Sequence, residues 1–155
     1  MRLEAIVSNS AGLIGLHRIQ QLDLLPQLIP QVFAPMGVIE EIGFQPNWLL
    51  GRSLREPVVA LTLQNQLGKG ESEAIALVLE LENVQTILLD DKKARRIAKR
   101  MGIQVIGTLG ILLKAKQQGS ISRVKPLLLD LKSVGFHISS SLYDQALELA
   151  EESEE

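Results

Sequence analysis

Short aliphatic runs alternate along the chain with segments that have helical spacing of apolar residues. Nearly unbroken apolar runs are typical of strands buried in a parallel sheet, and they occur at residues 3–8, 32–34 (closed by Pro35), 84–89 and 104–106. The intervening segments predict helices at 11–28 (one or two, broken near Asp23 and Pro26), 36–43, 71–82, 91–101 and 108–118. Strands joined by helices require right-handed crossovers, so the pattern predicts a three-layer, doubly wound α/β fold with a mainly parallel sheet.

The middle and the tail of the chain have other patterns. Residues 43–57 are rich in turn formers and are predicted to be a loop, and residues 58–61 are predicted to be extended. The tail predicts two amphipathic helices, near 123–134 and 140–151, and the second places Leu142, Ala146, Leu149 and Ala150 on one stripe that packs on the domain. Its acidic end, residues 151–155, opposes the helix dipole and should fray.

Length and composition narrow the class of protein. A chain of 155 residues is the size of one domain and buries roughly two thirds of its unfolded surface. It has no cysteine, which excludes disulfides and thiolate metal sites. It also lacks an apolar segment long enough to span a membrane, so we expect a cytoplasmic protein with no membrane partner. The net charge of −2 gives no global attraction to nucleic acid, so binding would need a local basic patch.

Acidic and amide residues recur where predicted strands end or helices begin. Asn9, Asp90 and Asp91 follow strands, whereas Glu41, Glu71 and Glu73 lie on helices. In a parallel sheet these positions converge outside the carboxyl ends of the strands. Carboxylates held together repel one another unless a hard cation neutralises them. The set therefore predicts a divalent-metal site and phosphate chemistry.

Each of these acids also has a simpler interpretation. Asp91 is well placed to cap a helix, and Glu71 and Glu73 are well placed to interact with a helix dipole. Glu41 fits a solvated helix face. Only the joint occurrence of the acids favours a metal site.

A basic patch lies directly after the aspartate pair. Six cations fall within residues 92–100, and we predict nucleic-acid contacts for Lys92, Arg95, Arg96 and Lys99. Arg95 and Arg96 are the best candidates, because a guanidinium can bind a phosphate through two hydrogen bonds. The alternative is an ordinary solvated helix face.

Several segments together resemble the PIN-domain family, in particular its VapC-like subgroup. The matching motifs occur in order at residues 6–14 (IVSNSAGLI), 22–25 (LDLL), 34–42 (APMGVIEEI), 68–77 (GKGESEAIAL), 88–95 (LLDDKKAR) and 107–110 (GTLG). Ala11 and Gly12 stand where the subgroup usually has Ser and Pro. The resemblance spans nearly the whole chain. It implies one PIN-like domain over residues 1–155, including C-terminal helices at about 123–151.

The resemblance also implies a function. PIN domains are generally metal-dependent nucleases, and many VapC-like members are toxins that cleave RNA and are held by an antitoxin; paired PIN domains are common. It implies a Mg²⁺- or Mn²⁺-dependent ribonuclease, a cognate antitoxin and a homodimer. Catalytic positions carried over by motif are Asn9, Glu41, Glu71, Glu73, Asp90 and Asp91, with Asn9, Glu41, Glu73 and Asp91 as metal ligands and Glu71 as the alternative third ligand.

Asn9 stands at the first acidic position of the motif set. An amide oxygen ligates a hard cation without contributing charge. A competing hypothesis is therefore a catalytically weakened PIN fold that binds RNA or a protein. A phosphotransfer protein is a third alternative, disfavoured because the first strand ends without an Asp to accept the phosphoryl group.

Overall fold

The computed structural model describes residues 3–152 and places a five-stranded, all-parallel sheet at the centre of the fold. The strand order across the sheet is β3-β2-β1-β4-β5. The strands are β1 (Ala5–Ser8), β2 (Gln31–Pro35), β3 (Leu49–Arg52), β4 (Thr86–Leu88) and β5 (Gln104–Ile106). This arrangement confirms the predicted doubly wound α/β fold.

Helices cover both faces of the sheet. They are α1 (Ser10–Arg18), α2 (Leu24–Leu28), α3 (Met36–Ile42), α4 (Val58–Leu63), α5 (Lys69–Glu80), α6 (Lys92–Arg100), α7 (Thr108–Gln117), α8 (Lys125–Ser133) and α9 (Ser140–Leu149). None of the helices within residues 3–152 is long and apolar enough to cross a membrane.

The core divides into two clusters, one on each face of the sheet. Neighbouring residues of a strand point to opposite faces, so Ile6 belongs to the cluster that includes residues of α1, α2, α7, α8 and α9, whereas Val7 belongs to the cluster that includes residues of α5 and α6. Both side chains are fully buried. The near-continuous aliphatic runs of β1, β2 and β4 exist because these inner strands are covered on both sides.

Two predicted elements in the middle of the chain are wrong. Residues 49–52, predicted as loop, form the edge strand β3, which pairs with β2 from Val32↔Leu49 to Pro35↔Arg52. Its residues include Gly51 and a charged Arg52, and an edge strand this short carries little apolar periodicity. Residues 58–61, predicted as extended, begin helix α4. Pro57 is suited to a helix start, and packing of α4 on α5 overrides the β preference of Val58 and Val59.

The tail forms the two predicted helices, and the predicted packing stripe of α9 is confirmed for Ala146 and Ala150 but wrong for Leu142 and Leu149. Tyr143, Ala146, Leu147 and Ala150 are buried, whereas Leu142 and Leu149 are 44% and 65% exposed. Lys132 lies 4.1 Å from the centroid of the Tyr143 ring. Such a cation–π contact stabilises packing of the helix face that carries the aromatic ring.

The predicted fraying after α9 is also wrong for residues 151–152. Glu151 adopts a left-handed backbone conformation (φ 59°), which turns the chain back, and the Glu152 amide donates to Leu147 O. The Glu152 carboxylate then accepts hydrogen bonds from Val124 N (2.7 Å), Lys125 N (3.0 Å) and Lys116 Nζ (2.9 Å). Residues 153–155 lie outside the described part of the chain. The single domain over residues 1–155 stays a prediction.

The strand order reverses between β1 and β4. From β1 the chain proceeds outward through β2 and β3, then crosses back to place β4 on the other side of β1. In doubly wound sheets this switch point opens a crevice at the carboxyl ends of the two strands, where ligands bind. Asn9 directly follows β1 and Asp90–Asp91 follow β4.

Candidate functional site

A crevice of about 740 Å³ opens at the carboxyl edge of the sheet, beside β1. Its walls come from the start of α1, from α3 and from the start of α5. The polar residues that line it are Asn9, Ser10, Glu40, Glu41, Lys69, Glu71 and Glu73. Segments separated by more than sixty residues in sequence thus meet in one place.

The end of β1 fixes Asn9 in the floor of the crevice. The backbone N–H of Asn9 donates to Leu88 O of β4 (3.2 Å), and the residue is 8% exposed. The hydroxyl of the next residue, Ser10, donates a hydrogen bond to Glu41 Oε1, and this bond connects α1 to α3. Asn9 and Glu41 are therefore held by the backbone of the sheet and by a neighbouring hydroxyl.

Gly70 lets the start of α5 approach both of these side chains. A Cβ at position 70 would lie 3.2 Å from Asn9 Oδ1 and 3.4 Å from Glu41 Oε1. Two oxygens therefore face a small space that only glycine leaves open. Oxygen donors around such a space are the ligand type that Mg²⁺ and Mn²⁺ prefer.

Glu71 belongs to the first turn of α5 and faces other carboxylates. Its Oε1 accepts a hydrogen bond from Gly68 N (3.2 Å), which completes a capping box. Burial, followed by the nearby charges of Asp91 and Glu41, raises the pKa of Glu71, although the Gly68 amide opposes the shift. Glu41, Glu71 and Asp91 therefore come from three helices into one electrostatic neighbourhood.

Glu73 is directed toward Gly37 of α3. A Cβ at Gly37 would clash with Glu73 Oε1, so in this rotamer the carboxylate uses the space that the glycine leaves open. That oxygen is buried and has no hydrogen-bond partner among residues 3–152. A buried carboxylate oxygen left without a donor is costly, and a bound cation would remove that cost.

Asp91 caps α6, as the simpler interpretation of this residue predicted. Its Oδ2 accepts from Ala94 N at 2.9 Å, and the side chain remains exposed. The cap occupies one carboxylate oxygen, which leaves Oδ1 for another partner. Capping and metal binding are therefore compatible at this residue.

Asp90 faces α7 and is hydrogen-bonded on both oxygens. It accepts from Thr108 N (2.8 Å) and from Thr108 Oγ1 (2.7 Å). Burial raises the pKa of Asp90 despite these bonds and the nearby Arg95. Asp90 thus fixes the start of α7 to the end of β4, a position-setting contact that the sequence interpretation did not include. The sequence signal for this contact was the threonine at the first position of the helix that follows Gly107.

The basic helix α6 presents most of its cations to solvent. Lys92, Arg96 and Lys99 are exposed, as a nucleic-acid interface requires. Arg95 is placed differently, because its Nη1 donates to Leu89 O at 2.9 Å and it lies beside Asp90. Arg96 is therefore the better placed of the two arginines for a phosphate.

The donor chemistry of the crevice fits a hard divalent cation. Asn9, Glu41, Glu71 and Glu73 line the crevice with oxygen donors, one of which is buried without a partner among the described residues, and the charge of Asp91 lies near Glu71. No three acidic or histidine side chains in residues 3–152 converge tightly enough to enclose an ion as they stand.

Sequence interpretation missed the residues that shape the crevice. Ser10, Lys69 and Gly37 line it, and Gly70 keeps its centre open. A glycine inside a helical segment is the only sequence signal for a close approach of this kind.

These features define an α/β protein with an acidic, oxygen-lined crevice at the switch point of a parallel sheet. The family model described as DUF3368, a PIN domain, matches residues 5–152. The chain belongs to this PIN-domain family. No curated protein and no solved structure matches it. The PIN fold is a nuclease fold whose members generally use divalent metal ions and bind RNA or DNA.

Proposed function

We propose that this protein is a metal-dependent endoribonuclease of the VapC-like toxin type, which hydrolyses RNA phosphodiester bonds. The observation that supports it best is the meeting of Asn9, Glu41 and the two glutamates of α5 in one crevice, with Asp91 beside them. Like charges are gathered there at a cost that folding alone does not repay.

Within this proposal, Asn9, Glu41, Glu73 and Asp91 hold Mg²⁺ or Mn²⁺. When bound there, the ion lowers the pKa of a water molecule and neutralises charge on the phosphate. The chain itself fixes Asn9 through Leu88 O and fixes Glu41 through Ser10. The exposed cations of α6, which begins at Asp91, attract and orient the RNA backbone.

The toxin type, a cognate antitoxin and a homodimer are part of the proposal because of the motif resemblance. A dimer is testable by light scattering at several protein concentrations. Co-purification with a protein encoded alongside this chain, followed by loss of RNA cleavage in the complex, is the corresponding test for an antitoxin.

The decisive test is the substitution Asp91→Asn. Asparagine keeps an oxygen that accepts from Ala94 N, so the α6 cap is retained. We expect Mn²⁺-dependent cleavage of single-stranded RNA to fall by about 100-fold or more, because even residues that only support a metal ligand are worth about 10–100-fold. The melting temperature without divalent metal should stay unchanged. Cleavage is measured on labelled RNA with a titration of Mn²⁺.

Asp144→Asn on α9 is the matched control, because it removes one charge from an exposed position away from the crevice. We expect it to cleave like wild type. Equal cleavage by the Asp91 and Asp144 variants would remove Asp91 from the mechanism.

A second candidate function, RNA or protein binding without cleavage, is favoured by one observation. Asn9 occupies the buried floor position with an uncharged amide, so the ligand set carries one negative charge fewer. We expect Asn9→Asp to tighten Mn²⁺ binding on the order of tenfold, since affinity follows the charge count of the ligands. Calorimetry of both proteins measures it.

Asn83→Asp adds the same charge just before β4, at the amino-terminal ends of the strands and so on the far side from the crevice, and should leave the Mn²⁺ affinity unchanged. If wild type does not bind Mn²⁺ and the Asn9→Asp variant does, this result would support RNA or protein binding without cleavage. Tight binding by wild type would support the nuclease.

A further inference from the structure

A second, smaller cavity of about 240 Å³ adjoins the acidic crevice at the ends of β2 and β3. The two cavities share Gly37 and Glu73 as lining residues. The rest of the lining is polar and apolar in similar measure, with Arg52 and Ser53 as polar residues and Pro35, Met36, Leu54 and Pro57 as apolar ones. Drug-sized ligands usually occupy about 300–1,000 Å³, so this space fits a fragment the size of a single base.

Close backbone approaches keep this cavity in place beside the crevice. Pro35 and Arg52 are paired in the β2–β3 register, so both strands end at its mouth. A Cβ at Gly51 would lie 2.5 Å from Met36 Sδ, which shows how closely α3 packs over β3. The cavity is thus bounded by strand ends and by the first turn of α3.

Arg52 is held at the mouth of the cavity without an acidic partner. Its guanidinium carbon lies 5.3 Å from the Phe33 ring centroid, and Nη1 donates to Gly51 O at 2.9 Å. It forms no ion pair with any residue from 3 to 152. A guanidinium that is positioned but not neutralised is suited to a phosphate.

The sheet order places Arg52 on the opposite side of the crevice from α6. Arg52 ends β3, two strands from β1, whereas α6 follows β4 on the other side of β1. Strands are spaced about 4.8 Å apart, so roughly 10 Å separates the ends of β3 and β1. An RNA strand lying over the acidic crevice would thus meet α6 on one flank and Arg52 on the other.

We propose that this cavity is a nucleotide subsite for single-stranded RNA, in which Arg52 binds a phosphate beside the cleaved bond and the apolar walls receive a base. The proposal rests on the ribonuclease function above. Single-stranded RNA is the matching ligand because its bases are free to leave the stack and insert into such a pocket.

The test compares Arg52→Gln with Arg55→Gln, which removes an equal charge from an exposed site three residues away. Arg96→Gln on α6 is the positive comparator. RNA binding is measured by fluorescence anisotropy at several salt concentrations, with each substitution placed in the Asp91→Asn background to prevent cleavage. We expect the salt slope to fall by about 1 for the Arg52 and Arg96 variants and to stay unchanged for the Arg55 variant.

Cleavage kinetics in the presence of Mn²⁺ give the second readout, with Asp91 intact. Arg52→Gln should raise KM for single-stranded RNA with little change in kcat, because the lost contact lies away from the reacting atoms. Shortening the RNA by the nucleotide that occupies the subsite should raise KM for wild type but not for the Arg52 variant. A structural role for Arg52 would not produce this loss of length dependence.

The two proposals fail in different ways. If wild type cleaves RNA and the Arg52 and Arg55 variants behave alike, the subsite is wrong and the nuclease stands. If wild type does not cleave RNA, the nuclease is wrong and so is the place of the subsite beside a cleaved bond, and the anisotropy comparison then decides only whether Arg52 contacts an RNA phosphate. Absence of RNA binding by the Asp91→Asn protein would overturn the subsite.

Discussion

Glu71 and Glu73 lie two positions apart on α5 and have different surroundings. Glu71 already receives a hydrogen bond from Gly68 N, whereas Glu73 Oε1 is buried without a donor. We expect Glu73→Gln to weaken Mn²⁺ binding more than Glu71→Gln does, by on the order of tenfold. Calorimetry on the two variants measures the difference, and the reverse order would make Glu71 the third ligand.

Much of the candidate site was predictable at the scale of single residues. Asn9, Glu41 and Glu71 do meet, because residues that follow parallel strands share one edge of the sheet. The orientation of a side chain was not predictable: Asp90 is adjacent to Asp91 yet faces Thr108, since consecutive residues leaving a strand point in opposite directions. The predicted phosphate contact of Arg95 failed to anticipate a contact of the same kind, its hydrogen bond to Leu89 O.

At the scale of elements, the carboxylate of Glu152 fastens α9 to the start of α8. Burial on its own raises the pKa of Glu152, but hydrogen bonds from Val124 N, Lys116 Nζ and Lys125 N lower it to about 2. The folded state therefore favours the charged form. The carboxylate stabilises the protein above its ordinary pKa of 4.5, and this stabilisation is lost as the pH falls from about 4.5 to about 2.

We expect Glu152→Gln to lower the free energy of unfolding at pH 7 by about 2 kcal/mol, because the ion pair with Lys116 is lost while amide hydrogen bonds are partly kept. The difference from wild type should shrink below pH 3. Urea unfolding at both pH values measures it. Glu151→Gln is the control, since Glu151 is exposed. Equal effects of the two substitutions at pH 7 would contradict this stabilising role of the Glu152 carboxylate.

Strong apolar periodicity made most elements predictable, and weak periodicity explains the errors. The aliphatic runs of β1 and β4 exist because helices cover both faces of those strands. Strand β3 lies at the sheet edge, where less burial leaves less pattern. For α9, Leu142 and Tyr143 begin competing stripes of similar apolar content, and only the contact of Tyr143 with Lys132 and the core selects between them.

At the scale of the whole molecule, a gathered set of carboxylates links metal binding to folding stability. A ligand that binds only the folded state at 100 times its Kd adds about 2.7 kcal/mol. For a domain of this size we expect saturating Mn²⁺ to raise the melting temperature by roughly 5–10 °C. Thermal unfolding with and without Mn²⁺ measures the shift. The Asp91→Asn protein should show little of it, and equal shifts in the two proteins would place the ion elsewhere.

The connection between α4 and α5 divides the chain into two parts, and both parts contribute residues to the candidate site. Residues 5–63 contain β1, β2 and β3 with Asn9 and Glu41, whereas residues 69–152 contain β4 and β5 with Glu71, Glu73 and Asp91. The two parts join within the sheet only through the pairing of β1 with β4. Neither part holds a complete set of ligands, so if the two are produced as separate polypeptides, metal affinity becomes a direct readout of whether they have reassembled.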